Sequence, residues 1–212
     1  MPETEAQLRK LEETGYTVRR QAGVSAIDQG RSQMATDALV DGFEETLWID
    51  SDVGFTVDDV ARLRSHSVPI VSGLYAKKGV RGFASHFLPG MPGVTLGKEG
   101  QLVEIQYAAT GFLLVQREVY SKMQIDWQLP VCNELFKNRP TVPFFQPMNV
   151  PHQDAWWSLG EDYSFSHRAR ECGFRILADT SIRLWHIGNY HYGWEEVGSD
   201  VKRYETFRMK FE

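Results

Sequence analysis

Thr46-Leu47-Trp48-Ile49-Asp50-Ser51-Asp52-Val53-Gly54-Phe55 is the stretch on which the reading of the fold turns. Thr46 to Ile49 suit a strand interior, and they run straight into two aspartates. The carboxyl ends of strands in open α/β sheets face the crevice where ligands bind. Two carboxylates there can hold a hard divalent cation through oxygen. The plainer alternative is that Asp and Ser, good turn residues, simply end the strand. The next segment weighs against that. Thr56-Val57-Asp58-Asp59 is an S/T-x-x-D capping pattern, so the following helix has its own cap and needs neither Asp50 nor Asp52.

The 212 residues fit one domain with a C-terminal tail, and 42% hydrophobic and 12% aromatic content can build a core. A net charge of −5 gives no general attraction for nucleic acid or an anionic membrane. Cys132 and Cys172 form no CxxC pair, which speaks against a disulfide framework or a zinc-thiolate site and suits a reducing compartment. No apolar run is long enough to span a membrane. The N-terminus is charged from Glu3 onward, unlike a signal peptide. The expectation is a soluble cytoplasmic protein, with homo-oligomerisation left open.

Outward from the central stretch, residues 3–14 read as an amphipathic helix stopped by Gly15, and 16–21 as a short strand. Ser25-Ala26-Ile27-Asp28 is a second capping pattern. It opens a helix to about Val40 that turns Ile27, Met34, Ala38 and Leu39 inward. Helix near 57–65, strand near 68–71: this alternation predicts a mostly parallel sheet flanked by helices. Residues 80–88 and 101–107 then predict a small antiparallel excursion across a Gly/Pro-rich loop. Residues 111–116 (Gly-Phe-Leu-Leu-Val-Gln) form a buried strand leading into a helix near Arg117. Residues 125–155 hold five prolines and read as irregular and functional. Residues 159–172 are helical, 174–178 and 182–187 are strands, and 189–212 resists assignment.

Four further constellations could carry chemistry. Gly160-Glu161-Asp162-Tyr163 opens a helix, where acidic residues are stabilised by the dipole and where a carboxylate can serve as a base. Trp156 and Trp157 precede it and suit the apolar faces of sugar rings, or a core. His186 follows an apolar strand; a lone histidine there is more often a satisfied core residue, and His191 is the alternative. A histidine beside the aspartates would turn metal preference toward Mn²⁺. Asp28-Gln29-Gly30-Arg31 lies in the first turns of a helix, a place that attracts phosphate, although Arg31 reads equally as an exposed helix arginine. Tyr75-Ala76-Lys77-Lys78-Gly79 follows a strand end and offers Lys77 as an anion contact, or as a merely solvated lysine.

In order and spacing, these residues resemble the GT-A glycosyltransferases, closest to the family 2-like enzymes, over about residues 18–187. The resemblance rests on Gly30-Arg31, the DxD motif Asp50-Ser51-Asp52, Thr110-Gly111-Phe112, Glu161-Asp162 and His186. It implies an α/β fold: a single GT-A-like, Rossmann-like domain. Residues 1–110 would form the nucleotide-sugar and metal half, 111–190 the acceptor half and 191–212 a tail. The strand that usually precedes the first helix has no counterpart here, which puts recognition of the base in doubt.

The implied activity is metal-dependent transfer of a sugar from a nucleotide-diphosphate donor, a UDP-sugar by preference, to a carbohydrate or other hydroxyl acceptor. Mn²⁺ or Mg²⁺ would be held by Asp52, Asp50 and His186. Arg31, Asp28, Asp50, Ser51 and Lys77 would contact the donor, and Gly111, Trp156 and Trp157 the acceptor. Asp162 would be the base, with Glu161 the alternative, and one base without a nucleophile implies inversion. A nucleotidyltransferase making nucleotide sugars, and a non-catalytic carbohydrate-binding scaffold, remain the alternatives.

Overall fold

The computed structural model describes residues 1–134, 139–198 and 206–211. In chain order the helices are α1 (Pro2–Glu13), α2 (Ile27–Val40), α3 (Val57–Ser65), α4 (Arg117–Asp126) and α5 (Glu161–Glu171). The strands are β1 (Glu45–Ile49), β2 (Val53–Gly54), β3 (Ile70–Leu74), β4 (His86–Phe87), β5 (Gly93–Gly97), β6 (Leu102–Tyr107), β7 (Phe112–Gln116), β8 (Met148–His152), β9 (Ala155–Leu159), β10 (Ile176–Arg183), β11 (Trp185–Ile187), β12 (His191–Tyr192) and β13 (Thr206–Lys210). The chain divides into two compact units. One is Met1–Arg19, Leu47–Leu114 and Ile176–Glu212; the other is Arg20–Thr46 and Val115–Arg175.

The main sheet has six strands in the order β1-β7-β3-β10-β6-β4. It is not the mostly parallel, Rossmann-like sheet that the alternation predicts. β3 and β10 run parallel, but β10–β6 and β6–β4 are antiparallel, so the sheet is mixed. The reason lies in 80–88 and 101–107. The expected excursion does not fold away as a side element: β4 and β6 extend the main sheet from β10. The Gly/Pro-rich loop between them contributes β5 instead, which pairs antiparallel with β13. The two strands expected at 174–178 and 182–187 are one long β10 followed by short β11.

In the first unit, β3 is buried at all five positions and β7 at four of five, the signature of central strands. Gly73 in β3 permits close packing: a Cβ there would stand 2.5 Å from Leu184 Cδ1 and 3.0 Å from Phe112 Cδ1. Val53, Phe55, Leu63, Val71, Phe112 and Leu184 belong to one buried cluster. Each such side chain is worth about 1.5–3 kcal/mol when fully buried. The expected capping box of α3 forms: Thr56 Oγ accepts from Asp59 N at 3.3 Å, and Asp59 Oδ2 accepts from Thr56 N at 2.7 Å. Asp50 and Asp52 are therefore not the caps. Asp179 of β10 ties α3 to the sheet by accepting from Arg62 Nε at 2.6 Å and bonding His66 Nε2 at 2.7 Å. Residues 16–21, expected as a strand, have no strand partner; Tyr16 N instead bonds Leu11 O at the end of α1.

In the second unit the expected capping box at Ser25 does not form; Ala26 is the N-cap and no side chain caps α2. Of the apolar face expected on α2, Ala38 is buried, but the buried face as a whole is a different one. It consists of Gly30, Arg31, Ser32, Ala35, Thr36 and Ala38, while Ile27 is 50% exposed. Small polar residues are buried because they satisfy the proline-rich stretch. Ser32 Oγ accepts from Phe145 N at 3.1 Å, and Thr36 Oγ accepts from Val142 N at 2.9 Å. The core is aromatic: Phe145 stacks on Phe165 at 4.6 Å, and Tyr120 meets Phe144 edge-on at 5.1 Å. Part of the irregular region folds into the hairpin β8–β9, with Val150 opposite Trp157 and Pro151 opposite Trp156.

Candidate functional site

Two clusters gather most of the residues singled out in the sequence. The first, in the first unit, is the Asp50–Asp52 turn. Its backbone is held from two neighbouring strands: Asp50 N donates to Gly111 O at 3.0 Å, and Ile187 N donates to Asp52 O at 2.6 Å. Val53 N closes the turn onto Asp50 O at 3.0 Å. Ser51 is exposed at its apex. Gly111 is required by crowding. A Cβ there would lie 2.4 Å from Tyr75 Oη and 2.9 Å from Asp50 Oδ2. The same tyrosine hydroxyl accepts from Gly111 N at 3.1 Å.

His186 is not a satisfied core residue. Its Nδ1 lies 2.9 Å from the carbonyl of Ala76. A carbonyl only accepts, so Nδ1 carries the hydrogen, which leaves Nε2 turned toward Asp52 Oδ2 at 3.6 Å. This is the arrangement by which metal-ligating imidazoles are oriented: one nitrogen tethered to a backbone carbonyl, the other presented. The Tyr75 ring meets the imidazole edge-on at 5.2 Å and fixes its plane. Asp52 Oδ2 also accepts from Lys78 Nζ at 2.5 Å. The imidazole and then the ammonium hold the Asp52 carboxyl well below the usual carboxylate range, against the opposing effect of burial. At 3.6 Å the imidazole makes no close hydrogen bond to Asp52; the short contact is the lysine's.

Asp52 and His186 thus offer a cation one oxygen and one nitrogen. Among the described residues no third His, Cys, Asp or Glu joins them, so Asp50 does not complete a three-ligand group. One oxygen and one nitrogen are too few to cage a divalent cation, so a cation held here would need further oxygens from a ligand or water. Residues alternate across β11, so Trp185 and Ile187 face away from His186. They line a cavity of about 390 Å³ together with Phe55 and Thr56. His191, the alternative histidine, also lines that cavity and pairs with Glu3 at 2.7 Å, not with the aspartates.

The second cluster, in the second unit, is built on the first turn of α5. Gly160 is the N-cap, Glu161 and Asp162 follow, and Arg168 and Arg170 sit in the last turn, so charge runs with the helix dipole. Asp162 Oδ1 accepts from Tyr163 N at 2.8 Å. Burial, reinforced by the charge of Glu161, pushes the Asp162 carboxyl up to about 6. Arg31, 7% exposed, reaches across from α2 to Glu161 at 3.6 Å. It is therefore not the solvated helix arginine of the plain reading; Asp28 lies half-buried in the turn before it. The β8–β9 hairpin presents two different tryptophans. Trp157 packs edge-on to Tyr163 and His152, whereas Trp156 is 73% exposed beside Pro151. On that same exposed face lie Asn149 and Ser158.

Lys77, expected as the anion contact, is exposed, and its neighbour Lys78 reaches Asp52. Tyr75 and the Ala76 carbonyl, in the same stretch, orient His186. The one signal available was that Tyr75 to Lys78 directly follow a strand end.

No family model and no curated protein matches this chain. Among solved structures, the crystal structure of A197 from STIV is similar, with a TM-score of 0.55 and 16% identity over 93% of this chain and 90% of that one. At that identity the likeness is one of fold. No helix among the described residues is long and apolar enough to cross a membrane.

Proposed function

We propose that this chain transfers a sugar from a nucleoside-diphosphate donor to an acceptor hydroxyl, with a divalent cation held by Asp52 and His186. The observation that carries the reading is the tethered imidazole: Nδ1 on Ala76 O, Nε2 facing Asp52 Oδ2 at 3.6 Å. Bound there, Mn²⁺ or Mg²⁺ would supply Lewis acidity that offsets charge on the departing diphosphate. Asp50 and Ser51 present the rest of the turn to the donor. Asp162 is the candidate base for the acceptor proton, because its raised carboxyl suits a base working near the operating pH. In that step the acceptor oxygen bonds the anomeric carbon, the bond from that carbon to the diphosphate oxygen breaks, and the diphosphate leaves with the electron pair. One base with no assigned nucleophile implies inversion. Trp156, with Asn149 and Ser158 on its face of the hairpin, offers an uncharged stacking and hydrogen-bonding surface for a sugar acceptor.

The test is a panel of UDP- and GDP-sugars with Mn²⁺ and simple glycoside acceptors, read as nucleotide release and product anomeric configuration. Metal-dependent release with an inverted product supports the reading, and a product retaining the donor's configuration contradicts it. A non-catalytic carbohydrate-binding scaffold is the second reading, favoured by the presence of two protein ligands instead of three. Sugar binding that is indifferent to metal, with no donor turnover, would favour it.

A further inference from the structure

Lys78 occupies an unusual position for a residue beside a proposed cation site. Its ammonium donates to Asp52 Oδ2, the same oxygen that faces His186 Nε2. Its stem runs past Gly188, the position where a Cβ would stand 3.5 Å from Cδ and 3.8 Å from Cε. The hairpin that bears it is tied by Lys77 N to Gly82 O at 2.8 Å and by the bridge between Ala76 and Phe83. The Ala76 carbonyl in that hairpin is also what orients His186. One short segment therefore both presents the imidazole and places a positive charge on its partner carboxylate.

An ammonium and a divalent cation compete for the same carboxylate oxygen, since both are held there by charge. A diphosphate changes the balance because it brings oxygens for the cation and new anionic acceptors for the lysine. We infer that Lys78 is an exchangeable counter-charge: it holds Asp52 until cation and diphosphate arrive together, then moves its hydrogen bonds from Asp52 to the diphosphate. This rests on the cation site proposed above. It makes cation and nucleotide binding mutually dependent, because a ligand that releases Lys78 favours the other by the same factor. It also assigns the lysine a positioning role on the leaving group, distinct from the solvated Lys77.

The test uses Mn²⁺ alone and UDP as probes, with Lys78→Met and Lys78→Ala in the full chain, and circular dichroism as the check that each variant is folded. Mn²⁺ affinity is measured by electron paramagnetic resonance with and without saturating UDP. In the variants, Mn²⁺ without UDP should bind about 5- to 10-fold more tightly, and the enhancement of Mn²⁺ binding by UDP should shrink by a similar factor. Lys78→Arg should restore the coupling in part. Unchanged or weaker Mn²⁺ binding in both folded variants overturns the inference while leaving the cation site standing. If wild type with saturating UDP takes up no Mn²⁺, the cation site itself is wrong and the inference falls with it.

Discussion

Two carboxylates, Asp52 in the first unit and Asp162 in the second, have been driven in opposite directions by their surroundings. Asp52 faces an imidazole and an ammonium, and its carboxyl lies well below the usual range. Asp162 is buried beside Glu161, and its carboxyl rises to about 6. The same side chain is tuned in one place to stay charged and hold cations, and in the other to exchange a proton near neutral pH. Environments that push two titratable groups apart in this way are what separate an electrostatic role from an acid–base role. The contrast has a structural origin. Asp52 sits on a turn held by Gly111, just before β7, and by Ile187 of β11, with the Lys78 ammonium and the His186 imidazole brought from other segments. Asp162 sits in the first turn of a helix beside Glu161, which pairs with Arg31 at 3.6 Å.

The comparison breaks most visibly if the two carboxylates can be interchanged in their effects. Asp162→Asn should lower the transfer rate about 10²- to 10⁴-fold, the range that a positioned base contributes. Binding of UDP with Mn²⁺ should stay within about twofold, because Asn keeps the size of the side chain. Normal transfer by this variant would remove Asp162 from the mechanism.

Gly111→Ala sharpens the other side. Its Cβ would collide with Tyr75 Oη at 2.4 Å and approach Asp50 Oδ2 at 2.9 Å. Overpacking of this kind costs about 1–3 kcal/mol, read as a lower melting temperature, and it should weaken UDP binding by displacing the Asp50 turn. Unaltered stability and binding would show that the turn tolerates what the geometry forbids.

The pH dependence separates the clusters again. Transfer should rise with pH through about 6 as Asp162 loses its proton. Stability should move the other way. The folded carboxyl holds its proton more tightly than the unfolded one, so this contribution is complete below about pH 4 and is lost as pH rises through about 6. The wild type therefore carries a penalty on the order of 1–3 kcal/mol at neutral pH that Asp162→Asn lacks. Thermal melts of both proteins near pH 4.5 and 7.5 read this directly: the variant should gain on the wild type at the higher pH. A constant difference between the two would contradict the assignment.

The smallest effect belongs to the hairpin. Trp156→Ala removes an exposed ring and should leave the melting temperature unchanged, while raising the acceptor KM roughly 2- to 10-fold, the worth of one stacking contact. A change in stability with no change in KM would make Trp156 a packing residue.

Much of this was legible in the sequence where the signal was local. The capping box at Thr56 and Asp59, the helix at α5 closed by Gly173, the strand around Leu47 and the buried strand around Leu113 follow from spacing and side-chain type. Strand direction was not legible, because β4 and β6 join β10 through pairings between segments far apart in the chain, and no local pattern encodes which edge they take. The face of α2 was misread for a related reason. Ser32 and Thr36 are buried to serve backbone N–H groups more than a hundred residues away, so periodicity of apolar residues pointed to the wrong side. Within the site, residue types were readable but partners were not. Lys77 and Lys78 are indistinguishable by composition; only the hairpin decides which one reaches Asp52.

The measurement closest to the central claim is a calorimetric titration of the purified protein with UDP, with and without Mn²⁺, repeated on Asp52→Ala. The account predicts binding that requires Mn²⁺ and is lost in the variant. Binding of UDP that is equally strong without Mn²⁺, or that survives Asp52→Ala unchanged, would contradict a cation-assisted diphosphate site at Asp52 and His186.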